Sequence, residues 1–428
     1  MSPVAIIEGV RTPFCKAGGR FRHVAADDLG AAVVRELIAR SDVPPGQVDE
    51  VIFGCVAQPP HASNIARVIA LRAGLPVETI AQTVQRNCAS GIQAVTTGAM
   101  LIEAGRADLI VAGGTESMSQ IPLLYGPEMS GLLMKLARAK TVKARLRALM
   151  GFRPKFLRPI IGLQLGLTDP VCGLNMGQTA EVLAREFVIT REEQDAFALL
   201  SHERASAAME RGDLADEVMP LIGMPTYDTA IAEDDGPRKD QSLSKLARLR
   251  PYFDRHAGSV TIGNACPVTD GAAAVLLCSD RKAKELGLKP LGHVREWAYA
   301  ALAGDRMGLG PVYATAKLLS RTRRTMRDFD LIELNEAFAA QVIANERAFS
   351  SARFAREHLG RDRAMGEIDR DTLNVNGGAI AMGHPVGATG TRLILTALKQ
   401  LRRTGKGRAL ATLCVGGGQG AAIVLEAA

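Results

Sequence analysis

The sequence predicts an α/β protein that contains two similar halves and a helical segment inserted into the first half. The first observation is that apolar, strand-like segments alternate with segments of helical periodicity. VAIIEGV and VDEVIFGCV have the pattern of strands, and DDLGAAVVRELIAR, which lies between them, has the pattern of a helix. Strands that alternate with helices predict a sheet covered by helices on both faces.

The second observation is that one pattern occurs twice. In CASGIQAVTTGAMLIEAG a turn of small residues leads into a helix, and the apolar strand ADLIVAGGTES follows with its Gly pair. Near the C-terminus, GHPVGATGTRLILTALKQLRRTG and GRALATLCVGGGQGAAIVLE repeat this order of turn, helix, apolar strand and Gly cluster. We therefore expect the two halves to share a fold, an inference that comes from pattern and not from residue identity.

The third observation is a long segment between the repeats that breaks the alternation. It contains a basic run and then the helical stretch NMGQTAEVLAREFVITREEQDAFALLSHERASAAMERG, after which SVTIGNACPVTDGAAAVLLC returns to the sheet pattern. The sequence thus predicts a first half formed by residues 1–120 and 256–280 and a second half formed by 281–428. Residues 121–255 are predicted to be an inserted domain, with a basic amphipathic helix over 131–150.

Composition excludes several classes of function. Of the 428 residues, 47% are hydrophobic and 23% are charged, which is typical of a globular protein. No apolar run reaches the length of a membrane-spanning helix and the first residues do not resemble a secretory signal, so a cytoplasmic protein is expected. The seven cysteines lack paired spacing, which predicts neither a disulfide framework nor a metal site.

Cys88 lies in the stretch QRNCASGIQA, where a strand-like run meets the start of a predicted helix. Amide groups at a helix N-terminus favour a thiolate, so the position predicts a nucleophile with a lowered pKa. Ala89, Ser90 and Gly91 leave room for a substrate beside the sulfur. A small buried cysteine in a turn of small residues is an equally good explanation of this stretch taken alone.

His384 lies in the densest glycine cluster of the chain, NGGAIAMGHPVGATG. Glycines allow the backbone and a ligand to approach each other closely, so a histidine enclosed by them is a candidate for acid–base chemistry. The alternative is a histidine that merely belongs to a Gly-rich loop.

Two further candidates stand at predicted strand ends. Cys414 ends RALATLC and precedes a run of glycines that includes Gly416, so its thiol could exchange protons while the glycine amides form an oxyanion hole. Asn335 follows the strand LIEL, where it could also be a helix N-cap. Loops at strand ends can bring such residues together from several units of the fold.

Several motifs, in order along almost the whole chain, resemble those of the thiolase family. They are NCASGIQAV, GGTESMS, NEAFAAQ, NVNGGAIAMGHPVGATGTR and CVGGGQGAAIVLE, with RTPF and LRPYFD…GNACPVTDGAAA in further agreement. The resemblance implies a duplicated thiolase fold with a five-layer αβαβα core and a helical loop domain inserted into the first half. This agrees with the repeat and the insertion predicted from the pattern.

The resemblance also implies a role for each catalytic candidate. Cys88 matches the nucleophile that becomes acylated, and Cys414 matches the acid–base cysteine that exchanges a proton with the α-carbon of the acetyl unit. His384 matches the histidine that activates the nucleophile and points at the thioester oxygen of the acetyl-CoA enolate. Asn335 matches the side chain that holds a water in the oxyanion hole for that oxygen. The amides of Cys88 and Gly416 match a second oxyanion hole.

Coenzyme A is implied as a substrate, with no permanently bound cofactor and no metal. At three positions this chain differs from the family pattern: Asn175 precedes Met176 where His is frequent, Cys266 replaces a frequent Ser, and Lys245 stands at another Ser position. The resemblance assigns CoA contacts to six residues. They are Met176, Arg238, Lys245, Ala265, Cys266 and Phe338.

The implied activity is that of a 3-ketoacyl-CoA thiolase in fatty-acid β-oxidation, with ping-pong chemistry through an acyl-Cys88 intermediate. The alternative is an acetoacetyl-CoA thiolase that works in the direction of Claisen condensation. An inactive lipid-carrier or scaffold protein is a third interpretation, which the intact Cys88, His384 and Cys414 disfavour.

The positive charge of the protein is concentrated in residues 131–158, which hold nine Lys and Arg and no acidic residue. Without this segment the net charge of +7 becomes slightly negative, so a nucleic-acid-binding surface is not predicted. The segment fits a helix that lies on an anionic membrane, and it equally fits a helix packed on its own protein with its charges toward solvent or CoA. A basic loop domain also resembles thiolase subunits that pair with a hydratase/dehydrogenase, although Asn335 stands where those subunits often have His. A homodimer or homotetramer is implied by the family.

Overall fold

The computed structural model describes residues 4–222 and 229–428. The strands are β1 (Val4–Arg11), β2 (Cys15–Lys16), β3 (Glu50–Gly54), β4 (Ile80–Val84), β5 (Leu109–Ser117), β6 (Leu123–Leu124), β7 (Ile160–Ile161), β8 (Leu221–Ile222), β9 (Ala230–Ile231), β10 (Thr269–Cys278), β11 (Gly292–Ala301), β12 (Leu331–Leu334), β13 (Arg408–Val415) and β14 (Gln419–Ala427).

The helices begin and end as follows. They are α1 (Ala26–Ser41), α2 (Ile65–Arg72), α3 (Ser90–Glu103), α4 (Pro127–Arg138), α5 (Val142–Leu149), α6 (Gly162–Gly166), α7 (Met176–Glu186), α8 (Arg191–Arg211), α9 (Leu243–Ala247), α10 (Asp280–Glu285), α11 (Gly310–Thr322), α12 (Ala339–Ser350), α13 (Ala352–Leu359), α14 (Ala379–Met382) and α15 (Val386–Thr404). Short 3₁₀ helices lie at Pro45–Gln47, Met118–Gln120, Pro154–Leu157, Gly304–Leu309 and Met326–Asp328.

The strand pairing repeats in the two halves. In the first half β3 and β5 are parallel, β10 pairs antiparallel with β5, and β1 pairs antiparallel with β10. In the second half β12 and β13 are parallel, β14 pairs antiparallel with β13, and β11 pairs antiparallel with β14. A parallel bridge from Ile332 to Leu373 takes the place that β4 has beside β3. This equivalence confirms the predicted duplication.

The two halves join edge to edge. β1 pairs antiparallel with β11, and its residues Val4, Ala5 and Ile6 lie opposite Val294, His293 and Gly292. The result is one ten-stranded sheet. Its order is β12-β13-β14-β11-β1-β10-β5-β3-β4, and β2 pairs with β10. The sequence pattern did not predict this junction.

Three apolar clusters fill the space between the layers. One lies between α1, α2 and the first-half strands, and another between α11, α12 and the second-half strands. The central cluster combines α3 and α15 with strands from both halves. The order α1/α2, first-half strands, α3/α15, second-half strands and α11/α12 is the five-layer αβαβα arrangement that the resemblance implied.

The segment that follows β5 differs from the rest of the fold. Residues 127–149 form α4 and α5, which pack on each other as a helical hairpin, here called the basic hairpin. The single helix predicted over 131–150 is therefore wrong: the chain turns at Ala139–Thr141, and the Thr141 hydroxyl accepts a hydrogen bond from the Ala144 N–H to begin α5. The three predicted domain ranges remain a prediction.

The basic hairpin exposes apolar side chains on both helices. Leu132 is buried, whereas Leu133, Met134, Leu146 and Leu149 are exposed, and Val142 is 74% exposed. The described residues of the same chain therefore leave most of this apolar face uncovered. Within the described residues, no helix combines the length and hydropathy needed to cross a membrane.

Candidate active site

Cys88 and His384 occupy equivalent places in the two halves, each just before one of the central helices, α3 and α15. The first turns of these helices touch. A Cβ atom at Gly91 would lie 2.6 Å from the Thr391 nitrogen, and one at Gly390 would lie 2.5 Å from the Ile92 nitrogen. Glycine at both positions lets the helix N-termini meet, so the residues that precede them lie at the same end of the pair.

Cys88 is partly exposed and lies beside the glycine turn that follows β13. The backbone N–H groups of Gly416 and of Cys88 itself lie near enough to the sulfur to lower the pKa of its thiol. The Asn87 side chain donates to the Gly416 carbonyl at 2.7 Å, and Asn87 adopts a positive φ of 42°. This left-handed residue holds Cys88 against the turn.

The pKa of the Cys88 thiol is raised, which corrects the prediction of a lowered value. Removal of the sulfur from water has the larger effect, and the two amide donors only partly oppose it. The resting cysteine is therefore a thiol and needs a base to become a nucleophile.

Cys414, at the end of β13, is fully buried in a small apolar cluster with Ala265, Met307 and Phe338. Burial raises the pKa of its thiol well above the ordinary value, and the nearby Cys88 and Cys266 raise it further. Burial and Cys88 likewise raise the pKa of Cys266 to about 12. Three thiols from three separate segments thus lie close together, and burial keeps all three protonated.

His384 is buried, and its backbone N–H donates to the Thr269 hydroxyl at 3.2 Å. Its Nδ1 lies 2.7 Å from the Thr389 hydroxyl oxygen, whereas Nε2 has no hydrogen-bond partner among residues 4–222 and 229–428. Burial, together with the Arg392 charge, lowers the pKa of the imidazole to about 3. The side chain is therefore neutral at physiological pH and has one ring nitrogen available.

Asn335 directly follows β12 and is fully buried. Its backbone N–H donates to the Thr412 carbonyl of β13 at 3.0 Å, which fixes the strand end. Both polar atoms of its side chain lack a partner in the described part of the chain. A buried amide left unpaired is costly, so this side chain is suited to hold a ligand or a water.

Four of the six residues assigned to CoA contact lie around these groups. Met176 begins α7, and its sulfur would lie 3.3 Å from a Cβ atom at Gly416. The Cys266 N–H donates to the Ala337 carbonyl at 3.0 Å, and Ala265 forms a bridge with Phe338. These contacts place four of the residues assigned to CoA contact beside the three thiols.

The two basic residues of that set lie elsewhere on the surface. The Lys245 ammonium pairs with the Asp240 carboxylate, and both groups are exposed. The exposed Arg238 donates its backbone N–H to Nδ1 of the buried His202 at 3.3 Å. Among the described residues no ion pair engages the Arg238 side chain, which suits it to an anion, whereas Lys245 is already paired with an acid.

Two acidic residues that support the site were missed at the sequence level. The Glu116 carboxylate at the end of β5 accepts hydrogen bonds from the N–H groups of Val56, Ala57 and Gly387, at 3.0, 2.9 and 2.9 Å. It thereby ties the loop after β3 to the first turn of α15. The sequence signal that could have identified Glu116 is an acidic residue close after the Gly pair of a buried strand.

The second is Glu333, two residues before Asn335. It forms a fully buried ion pair with Arg392 of α15, with the two atoms 3.0 Å apart, and burial raises its pKa to about 8. The pair connects β12, which Asn335 follows, to α15, which follows His384. In the described residues no cluster of three or more side chains could hold a metal ion.

Two family models together match nearly the whole chain. The model described as "Thiolase, N-terminal domain" matches residues 4–281, and the model described as "Thiolase, C-terminal domain" matches residues 288–427. The chain is 46% identical over 424 residues to the 3-ketoacyl-CoA thiolase of Yersinia enterocolitica, across 99% of this chain and 96% of the relative.

Solved structures agree in fold. The acetyl-CoA acetyltransferase of Bacillus anthracis superposes with a TM-score of 0.87 at 36% identity, over 100% of this chain and 99% of the other. Human mitochondrial 3-ketoacyl-CoA thiolase in complex with CoA superposes with a TM-score of 0.86 at 33% identity, over 100% and 98%.

Proposed function

The chain belongs to the thiolase family and is an acyltransferase, and we propose that it cleaves 3-ketoacyl-CoA with coenzyme A to give acetyl-CoA and a shortened acyl-CoA. Its 46% identity to a 3-ketoacyl-CoA thiolase over the full chain supports this activity. The observation that carries the chemistry is the position of Cys88 against the Gly416 amide and the buried Cys414 thiol.

In the first half-reaction, Cys88 is the nucleophile. Neutral His384 takes the thiol proton, and the thiolate attacks the 3-keto carbon. The Cys88 and Gly416 amides, which act on the sulfur in the free protein, are the donors for the resulting oxyanion. One such donor lowers a barrier by about 3–4 kcal/mol.

Collapse of the tetrahedral intermediate breaks the C2–C3 bond and expels the enolate of acetyl-CoA. The charged imidazole of His384 and a water held by Asn335 stabilise its oxygen. The Cys414 thiol then gives its proton to C2, and this product leaves. A thiol with a strongly raised pKa suits this step, because C2 is a basic carbanion equivalent.

The second half-reaction returns every group to its starting state. The Cys414 thiolate takes the proton of the entering coenzyme A, whose sulfur attacks the acyl-Cys88 carbonyl. Cys88 leaves as a thiolate and recovers its proton from His384. The course is ping-pong, with coenzyme A as a substrate and with no metal or resident cofactor in any step.

Thiolytic cleavage in fatty-acid β-oxidation is the physiological direction that we propose, and condensation of acetyl-CoA is the alternative. CoA-dependent consumption of 3-ketoacyl-CoAs from four carbons to long chains tests the two. Activity that rises with chain length supports β-oxidation. Activity confined to the four-carbon substrate supports the condensing thiolase, and no turnover at any length contradicts the enzyme assignment.

We further propose a homodimer or homotetramer in the cytoplasm. An exposed apolar edge supports self-association: β4 is the last strand of the sheet, and Ile80 at its start is 63% exposed. Light scattering of the purified protein tests this, since a monomeric mass would contradict it. Copurification from cell extract tests for a hydratase/dehydrogenase subunit, the other partner that the basic loop domain suggests.

The basic hairpin supports a peripheral membrane contact. Its exposed Leu146 and Val142 stand among Lys143, Arg145 and Arg147, a combination of apolar and basic groups that suits an anionic lipid surface. We expect the protein to sediment with phosphatidylglycerol vesicles and not with phosphatidylcholine vesicles.

A matched pair of variants tests that contact. The double change Lys143→Glu and Arg147→Glu on α5 should abolish sedimentation. The double change Arg353→Glu and Arg356→Glu on α13, a helix of the same length elsewhere on the surface, should leave it intact. Equal loss in both variants would mean that net charge alone causes the binding.

A further inference from the structure

The Thr389 hydroxyl, one turn into α15, lies between two groups that compete for it. Its oxygen is 2.7 Å from His384 Nδ1 and 3.0 Å from the Pro385 carbonyl oxygen, and the residue is fully buried. A carbonyl oxygen can only accept, and a hydroxyl proton that makes the common bond of a helical Thr to the carbonyl four residues earlier is directed to Pro385. The hydroxyl oxygen is then left to accept from His384, which requires the imidazole hydrogen to be on Nδ1.

A neutral imidazole carries one ring hydrogen. With that hydrogen on Nδ1, the Nε2 atom has a free lone pair, and Nε2 is the ring atom without a hydrogen-bond partner in the described chain. With the hydroxyl proton directed to Pro385, the opposite tautomer would place two lone pairs against each other at 2.7 Å, and it would leave Nε2 unable to accept a proton.

We propose that Thr389 is a positioning residue that fixes His384 in the Nδ1–H tautomer, so that Nε2 is always ready to take the proton of Cys88. The inference rests on the proposed acyl transfer at Cys88. When the proton moves from the Cys88 sulfur to Nε2, the imidazolium keeps its Nδ1–H bond to Thr389 and gains an Nε2–H donor for the substrate oxygen. The ring therefore changes from acceptor to donor without rotating.

The charged groups near His384 favour the neutral resting state. Arg392 lies on the same helix, α15, and its buried positive charge opposes a second one on the imidazole. Its partner Glu333 belongs to β12. From β5, Glu116 is engaged by the Gly387 N–H, and from β10, Asp270 is engaged by Ser119. Each acid has its own donor, which leaves Thr389 as the contact that decides the tautomer.

The test compares Thr389→Val, which keeps the shape but removes the acceptor, with Thr389→Ser, which keeps the acceptor. Two-dimensional ¹⁵N NMR of histidine-labelled full-length protein reads the tautomer, with His384→Gln used to assign the signal. We expect the Nδ1–H pattern in the wild type and in Thr389→Ser, and loss of that pattern in Thr389→Val.

Kinetics provide the second readout. Release of acetyl-CoA from 3-ketohexanoyl-CoA should have a kcat about 100-fold lower in Thr389→Val, with KM within about threefold, because the ground-state contacts to substrate are unchanged. Thr389→Ser should remain within about threefold of the wild type. Rescue by serine separates the hydrogen bond from packing.

Several outcomes would overturn the inference. An Nε2–H pattern in the wild type would do so even if Thr389→Val failed to fold, and so would a Thr389→Val variant with an unchanged tautomer, whatever its rate. The NMR result does not depend on turnover. A wild-type protein that cleaves no 3-ketoacyl-CoA would therefore contradict the proposed function, while the tautomer would still be measured.

Discussion

The active site and the basic hairpin depart from the usual rules of burial in opposite directions. At the site, Asn335 and His384 bury polar atoms that have no partner in the described residues. On the hairpin, Leu146 and Leu149 expose apolar side chains to water. Most proteins pair their buried polar groups and scatter their exposed apolar ones.

Both features lower the stability of the folded protein, the site through buried polar atoms without partners and the hairpin through apolar side chains in water. An unpaired buried polar group costs about 1–3 kcal/mol, and an apolar side chain left in water forgoes about 1.5–3 kcal/mol. The site is held by the central helices and strands of both halves, whereas α4 packs mainly on α5. Each region is thus open to a different class of molecule, and a change in one should leave the other unaffected.

The largest expected effect is on catalysis. Cys88→Ala should lower the rate of thiolytic cleavage at least about 10⁴-fold, because no other group replaces the acylated sulfur. The triple change Lys143→Glu, Arg145→Glu and Arg147→Glu on α5 should change the rate on a short soluble substrate less than about twofold. Steady-state assays with a six-carbon 3-ketoacyl-CoA measure both. A hairpin variant as inactive as Cys88→Ala would show that catalysis depends on the hairpin as well as on the active site.

A second prediction concerns stability. Leu395→Ala in the central cluster should lower the free energy of unfolding by about 2–5 kcal/mol, since it leaves a cavity between the layers. Leu146→Ala on the hairpin should change it by less than about 0.5 kcal/mol, because the side chain is already in water. Urea unfolding followed by circular dichroism gives both values. Similar losses would mean that the hairpin packs on the body of the protein in solution.

The smallest expected effect is on the pH dependence of stability. Burial, followed by the charges of Arg238 and Lys16, lowers the pKa of His202 to about 4, whereas the unfolded chain takes up this proton near pH 6.5. The unfolded state therefore binds more protons between these values, and stability falls as the pH falls from 6.5 to about 4.

His202→Gln removes this contribution. Between pH 7 and pH 5 its melting temperature should fall by about 2 °C less than that of the wild type. The hairpin has no histidine, so the Leu146→Ala variant should keep the wild-type slope and serves as the control. Identical slopes in all three proteins would contradict the assignment of the proton to His202.

Much of the fold followed from local sequence pattern. The duplication and the positions of Cys88, His384, Asn335 and Cys414 at the ends of strands and the starts of helices could be predicted, because each depends on a short motif. The five layers were implied by the family resemblance and not by the pattern itself. The β1–β11 junction could not, since pairing between Val4–Ile6 and a strand almost 290 residues later leaves no local signal.

The main residues of the site could be predicted from the sequence, but several of its properties could not. The pKa direction of Cys88 was wrong because the helix start can be seen in the sequence, whereas the desolvation that outweighs it depends on the tertiary fold. Thr389 was missed because its sequence neighbours suggest only an ordinary helix position. The hairpin turn was missed although Thr141 is a good N-cap residue, because the apolar spacing continues across it.

The place of β1 in the sheet has a consequence for synthesis. This strand is made before the other described strands, yet both of its neighbours, β10 and β11, are made more than 250 residues later. At about 5–20 residues per second, β1 waits roughly 15–60 s with two unpaired edges. The nascent chain therefore completes its sheet only when most of the polypeptide has emerged, and during that time its first strand is a natural target for a chaperone.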